Sequence, residues 1–231
     1  MRVISAKDAD EAVKLAAETF IEAADARPDA PIGLATGATM DGIYLKLKEL
    51  RYRPKTRHAF ALDEYEGLEP ESQNSYEAEL RGKFVERLGW TGTLHVPGSG
   101  SYSGARGMEL FEQTISELGP LSAQLLGLGS NGHIAFNEPG SNFESTTRLV
   151  ELHPATRSDN ARFFSSLEDV PTHAYTQGLA TISRSSCLLL VVLGERKLPA
   201  LSQALTAPSP DTPLAALLAH ENLTLITDQV L

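Results

Sequence analysis

The segment Ser186–Leu193 is apolar from its second residue onward, reading C-L-L-L-V-V-L. A run with no polar alternation has no face to show to water, so it predicts a central strand covered on both sides, as in parallel sheets. Helical and strand-like segments alternate before and after it, the pattern of a parallel sheet with helices on both faces. Ala9, Ala12, Val13, Ala16, Ala17, Phe20, Ile21 and Ala24 recur at three- and four-residue steps and predict a helix with one buried stripe, left at Pro28 and Pro31. Strands follow at Ile32–Ala35, His58–Leu62, Leu94–Val96, Leu121–Leu126 and Leu223–Thr227. The intervening helices run from about Asp41 to Leu50, about Ser75 to Leu88, and Met108 to Leu118. The expected fold is α/β, a three-layer sandwich around a mostly parallel, Rossmann-like sheet. With no repeat or linker in 231 residues, it forms one domain over 1–231.

Composition narrows the function classes. A net charge of −10 with no Lys/Arg cluster argues against a nucleic-acid surface. The one cysteine, Cys187, lies in the apolar run, so disulfides are not expected and a reducing, cytoplasmic setting is. The start M-R-V-I-S-A-K-D lacks an apolar signal core, and no stretch reaches membrane-spanning length.

Gly127–Pro139, G-L-G-S-N-G-H-I-A-F-N-E-P, follows a strand with a histidine, asparagines and a glutamate in a glycine-rich turn. Loops at the carboxyl ends of strands are where ligands gather in such sheets. Gly127-x-Gly129-x-x-Gly132 matches the dinucleotide fingerprint formally, and Glu151 lies further on. That fingerprint must open a helix, however, and Pro139 and Gly140 deny one, so no nicotinamide cofactor is expected. A lone histidine is most often structural. His133 stands five residues before Glu138 in a post-strand loop, which suits acid–base work on a sugar hydroxyl or ring oxygen.

Asp63 ends a strand and opens D-E-Y-E-G-L. Alone it would pass for a loop-capping group, with Glu64 and Glu66 as solvated charges. Beside His133 in one crevice, a desolvated Asp63 becomes a base for a carbon acid. Thr36-Gly37-Ala38-Thr39 lies between a strand and a helix, where backbone N–H groups and two hydroxyls can cradle a phosphate. An N-cap is an equal reading. Arg162 and Lys197 are either surface charges or the cations of the same phosphate pocket. There is no G-x-S-x-G and no H-E-x-x-H, and neither a serine-hydrolase elbow nor a metal site is expected.

The pieces L-A-T-G-A-T, L-D-E-Y-E-G-L, Q-N-S-Y, G-L-G-S-N-G-H-I-A-F-N-E-P-G, A-R-F-F and V-L-G-E-R-K, with P-L-A-A-L-L-A-H-E-N-L-T-L-I-T-D, run in order from about residue 33 to 228. Together they resemble the glucosamine-6-phosphate deaminase (isomerase) family. The resemblance implies cofactor-free conversion of glucosamine 6-phosphate and water to fructose 6-phosphate and ammonia, in amino-sugar catabolism. It implies Asp63 as the base moving a proton from C2 to C1. His133 would open the pyranose ring, supported by Glu138 and Asn131, and Thr36 through Thr39, Arg162 and Lys197 would hold the phosphate. Asn131 stands where some members carry Asp, and it can orient the histidine without taking up a proton. Ala38 removes a hydroxyl found in the more typical loop, and Tyr175–Gly178 replaces a more apolar stretch of pocket wall. The related 6-phosphogluconolactonases share the fold, yet Tyr65 and Glu138 point away from lactone hydrolysis. A deaminase for galactosamine 6-phosphate and a non-catalytic sugar-phosphate sensor are the other readings, and a homo-oligomer is left open.

The chain is shorter at its C-terminus than regulated members, and Val150 stands where they carry a basic residue. The expected outcome is little or no activation by N-acetylglucosamine 6-phosphate in substrate titrations; a clear drop in half-saturation would contradict it.

Overall fold

The computed structural model describes residues 1–209 and 211–229. Seven strands form one parallel sheet: β1 (Arg2–Ser5), β2 (Ile32–Leu34), β3 (His58–Ala61), β5 (Thr93–His95), β6 (Gln124–Gly127), β9 (Leu188–Val192) and β10 (Leu223–Thr227). Their order is β1-β10-β9-β6-β2-β3-β5, and every pairing is parallel. The expected α/β architecture is therefore present. The apolar run is β9, buried at all five positions between β10 and β6. Each of its leucine and valine side chains contributes about 1.5–3 kcal/mol by leaving water.

Helices cover the sheet: α1 (Ala9–Ala26), α2 (Ala38–Glu49), α3 (Tyr76–Leu80), α4 (Gly104–Leu118), α5 (Pro154–Asn160), α6 (Leu179–Ser183), α7 (Leu198–Thr206) and α8 (Pro213–Leu218). Of the α1 stripe, Ala12, Ala16, Ala17, Phe20 and Ala24 are buried and Val13 and Ile21 half-buried, while Ala9 in the first turn is exposed. Asp8 caps that helix by accepting from the Glu11 N–H at 2.8 Å. The helix expected over 75–88 divides into α3 and a wider π-helical segment, Arg81–Glu86.

Two features escape the sequence patterns. Strand β1 is an edge strand with mostly exposed side chains, held by its ladder to β10. A second sheet is antiparallel, β4-β8-β7, built from β4 (Asp63–Tyr65), β8 (His173–Thr176) and β7 (Arg148–Glu151). Gln177 stitches it to the main sheet: its backbone N–H donates to Leu62 O at 2.9 Å and its side chain to Ala61 O at 3.0 Å. Tyr175–Gly178, expected in a pocket wall, thus begins in β8 and continues into this seam.

Successive strands leave β2 in one direction, through β3 to β5, and leave β6 in the other, through β9 to β10. The crevice between β2 and β6 is the switch point where such sheets bind ligands. Close approach there requires Gly33, since a Cβ would lie 2.0 Å from Gln124 Oε1. The loops after β9, β6, β2 and β3 all open at this edge.

At the far side of the sheet, His95 stacks on Phe60 with ring centroids 4.4 Å apart. Its Nε2 lies 3.0 Å from His58 Nδ1 and its Nδ1 lies 2.8 Å from the Tyr102 hydroxyl. Burial, reinforced by His58, lowers its pKa to about 4. The unfolded chain binds this proton near pH 6.5 and the folded chain does not, so acid favours unfolding between those values. Unfolding free energy measured in denaturant should fall with pH between 6.5 and 4, with up to about 1.4 kcal/mol per pH unit traceable to this ring. Replacement His95→Gln should remove that part of the slope.

Candidate active site

The loop after β6 folds back on itself. Gly129 N–H donates to His133 O at 2.9 Å, and Gly132, at φ +90°, donates to Gly129 O at 3.1 Å. Ile134 and Asn137 then pair as an isolated bridge, and the next helix is α5. The helix that a dinucleotide fingerprint must open is missing, as the sequence predicts. Gly129 has a steric duty: a Cβ there would lie 2.2 Å from His133 Cε1.

His133, Asn131 and Glu138 come together. Asn131 Nδ2 donates to Glu138 Oε2 at 2.7 Å. A carboxylate only accepts, so this bond fixes the amide orientation and turns Oδ1 toward the histidine. Asn131 Oδ1 then accepts from His133 Nδ1 at 2.6 Å and from its backbone N–H at 3.2 Å. The proton is placed on Nδ1, which leaves the Nε2 lone pair free as a base. Glu138 Oε2 stays 3.8 Å from Nδ1, so Asn131 stands between the two titratable groups. Burial lowers the His133 pKa, Glu138 and Asp159 oppose this, and Lys197 adds to it. The ring is neutral and ready to accept a proton at neutral pH.

Asn137, a further polar residue of the loop, does structural work. It is fully buried and donates to Ile134 O at 3.0 Å and Gln177 O at 2.8 Å. Arg148 donates to its Oδ1 at 2.9 Å, and Val150 packs on the apolar cluster around Tyr65 and Phe136.

Asp63 opens β4 and is 7 % exposed. Burial raises its pKa well above the usual carboxylate range, and the charges of Glu64 and Glu79 raise it further. Such a carboxylate is a stronger base when ionised. Glu64 is not a solvated charge. It is buried and accepts backbone N–H bonds from Tyr65, Tyr76 and Glu77 at 2.8, 3.0 and 2.7 Å. Alternation along β4 explains this, because Glu64 points opposite to Asp63 and Tyr65. Glu66, by contrast, keeps a side chain 41 % exposed.

Thr36 and Gly37 lead into α2, whose cap is Gly37 at φ +104° with no side-chain capping bond. The hydroxyls of Thr36 and Thr39 therefore do not act as the cap. One contact was not foreseeable: Glu79 Oε1 accepts from the Gly37 N–H at 3.0 Å, with Lys83 Nζ 3.1 Å from the same oxygen. Across the crevice Lys197 is half-buried, and its pKa is lowered by burial and by the Arg162 charge, while Asp228 opposes the shift. The two cations are thus neighbours, with Arg162 exposed and Lys197 close enough to His133 to affect it. A pair of cations can bind a dianion.

Two links join the halves of the site. Asn160 Nδ2 donates to the Tyr65 hydroxyl at 2.9 Å, tying α5 to the strand of Asp63. The Thr156 hydroxyl donates to Glu138 Oε1. Among the described residues, no group of three or more His, Cys, Asp or Glu side chains could hold a metal ion, and no helix is long and apolar enough to cross a membrane.

Residues 5–226 match the family described as glucosamine-6-phosphate isomerases/6-phosphogluconolactonase. The glucosamine-6-phosphate deaminase of Geobacillus sp. (strain WCH70) is 38 % identical over 99 % of this chain and 94 % of its own length. A solved structure described as a monomeric glucosamine-6-phosphate deaminase superposes with a TM-score of 0.93 at 35 % identity, covering 99 % of this chain and 98 % of the other. The 6-phosphogluconolactonase of Trypanosoma brucei shares the fold at a TM-score of 0.76 and 18 % identity, over 98 % of this chain and 95 % of its own.

The Gly129 contact gives a direct check. Gly129→Ala should force the His133 ring out of its place against Asn131, at a stability loss of about 1–3 kcal/mol from overpacking. A crystal structure of the variant with the imidazole still bonded to Asn131 Oδ1 would contradict this.

Proposed function

The chain belongs to the glucosamine-6-phosphate isomerase/6-phosphogluconolactonase family, and from that premise we propose that it is a glucosamine-6-phosphate deaminase, converting glucosamine 6-phosphate and water to fructose 6-phosphate and ammonia. The observation that carries the reading is the pairing of two different bases at one sheet edge. A neutral imidazole with a free Nε2 stands on one side, and a buried carboxylate of raised pKa on the other.

Each base suits one stage. Ring opening moves a proton between the anomeric hydroxyl and the ring oxygen, within reach of an imidazole that takes it on Nε2 and returns it. The imidazolium formed in between is stabilised by Glu138 acting through the Asn131 amide. Asn131 itself cannot accept the proton, which keeps the charge on the ring. Asp63, ionised, then takes the C2 proton and returns it to C1. The intermediate is an enolamine, and the resulting C2 imine is hydrolysed to ketone and ammonia. Burial makes Asp63 basic enough for a carbon acid and keeps water from intercepting the proton. No step needs a cofactor.

The phosphate is assigned to Thr36, Gly37, Ala38 and Thr39 with Arg162 and Lys197. Backbone N–H groups and the α2 dipole face it from one side and two cations from the other. Glu79 already accepts the Gly37 N–H, so in this arrangement the N–H groups of Ala38 and Thr39 remain for the ligand. All these residues belong to one chain, so the reading requires no second copy. A phosphorylated substrate and a lone cysteine support a cytoplasmic setting.

Ammonia release from glucosamine 6-phosphate tests the activity, with galactosamine 6-phosphate run beside it. Asp63→Asn should lower kcat by about 10²–10⁴-fold while substrate still binds, as expected for loss of a general base. Retained turnover would remove Asp63 from the mechanism. Because Asp63 works ionised and its pKa is raised, activity should fall on acidification at a pH above the ordinary carboxylate range. Arg162→Ala and Lys197→Ala should each raise KM about tenfold or more, the loss of a charge-assisted contact. Unchanged KM in both would displace the phosphate from this pocket.

A further inference from the structure

Glu138 is gripped at both oxygens. Asn131 holds Oε2 at 2.7 Å, and the Thr156 hydroxyl holds Oε1. The Asn131 bond accounts for communication with His133 but not for the gap that remains. An imidazole N–H is a better donor to a carboxylate than an amide is, and Glu138 Oε2 lies only 3.8 Å from Nδ1. Something must keep the carboxylate from swinging onto the ring and expelling Asn131.

We propose that Thr156 is a positioning residue for the ring-opening relay: its hydroxyl holds Glu138 back from His133, so that the Asn131 amide stays inserted between them. The inference rests on the assignment of His133 as the acid–base group. Thr156 is 2 % exposed, so its hydroxyl needs an internal partner, and the carboxylate oxygen is that partner. The helix that carries it cannot follow a moving Glu138. Asp159 of α5 accepts from Ser130 Oγ at 2.7 Å, and Asn160 holds the Tyr65 hydroxyl. From the middle of the helix, Arg157 donates to Val170 O at 2.8 Å and Leu167 O at 3.2 Å. Helix α5 is thus anchored to the β6 loop, to β4 and to the chain that follows the helix itself, and Thr156 presents a fixed donor.

Three charged groups face the His133 ring from the elements around it: Glu138 from its own loop, Asp159 from α5, and Lys197 from the turn before α7. Only Glu138 is released when the Thr156 hydroxyl is removed. Oε1 then loses its hydroxyl donor, and the freed carboxylate can turn to the His133 Nδ1–H, which already lies 3.8 Å from Oε2. A direct pair favours the imidazolium and removes the neutral base from the working pH range.

The test compares wild type, Thr156→Val and Thr156→Ser, with Thr156→Ala in place of valine should that variant not fold. The first readout is an NMR titration of the His133 ring in the free protein, assigned with His133→Asn. The second is the pH dependence of kcat/KM for ammonia release. The valine variant should titrate His133 at higher pH than wild type. It should lose about tenfold or more in kcat near neutrality, the usual effect of removing a bond to a charged group, with KM within about twofold. Thr156→Ser should restore both. A valine variant with the wild-type His133 titration and wild-type pH profile would overturn the proposal, whatever its stability. The titration needs no substrate, so it judges Thr156 even if the wild type releases no ammonia, an outcome that would instead sink the deaminase reading.

Discussion

Everything at the site hangs from the parallel ladder β9-β6-β2-β3. A parallel strand cannot return by a hairpin, so each is followed by a crossover, and all four strands present their carboxyl ends at one edge. Loops that are distant in sequence are thereby brought together: Lys197 after β9, His133 after β6, Thr36 after β2 and Asp63 after β3. The ladder can be this tight because its side chains are nearly all apolar and buried. Where it carries a polar one, Gln124, a glycine on the next strand makes room.

Placed on that frame, two bases are tuned by different means. Asp63 is made basic chiefly by desolvation, which rests on its burial at the seam between the two sheets. His133 is tuned by hydrogen-bond direction. The acceptor-only carboxylate of Glu138 orients the Asn131 amide, and the amide in turn selects the imidazole tautomer. An asparagine at that place does what an aspartate would do for orientation, without adding a third carboxylate to be titrated. The same logic extends to Thr156, whose neutral hydroxyl occupies the remaining oxygen of Glu138.

The parts of this arrangement legible in the chain are those with a local signature. Strands buried on both faces read as apolar runs, and α1 as a periodic stripe. The G-x-G-x-x-G match could be discarded because a proline and a glycine follow where a helix must begin. Glu64 was not legible as a buried clamp: its neighbours are acidic, and only the pleat of β4 turns it inward against three backbone N–H groups. Strands β7 and β8 were equally silent, being short and stabilised by pairing with each other and with β4.

The sequence alone determined the fold class, the loop that carries the histidine and the chemical types gathered in it, because apolar periodicity and a compact run of glycines, His133 and Glu138 are properties of neighbours along the chain. The tertiary structure decided which groups touch. Thr156 meets Glu138 across 18 residues, Glu79 meets Gly37 across 42, and Asn160 meets Tyr65 across 95. Such contacts have no periodicity to announce them. They arise only when burial of the sheet fixes the helices, and the polar groups left between must find partners or remain unpaired in a place water does not reach.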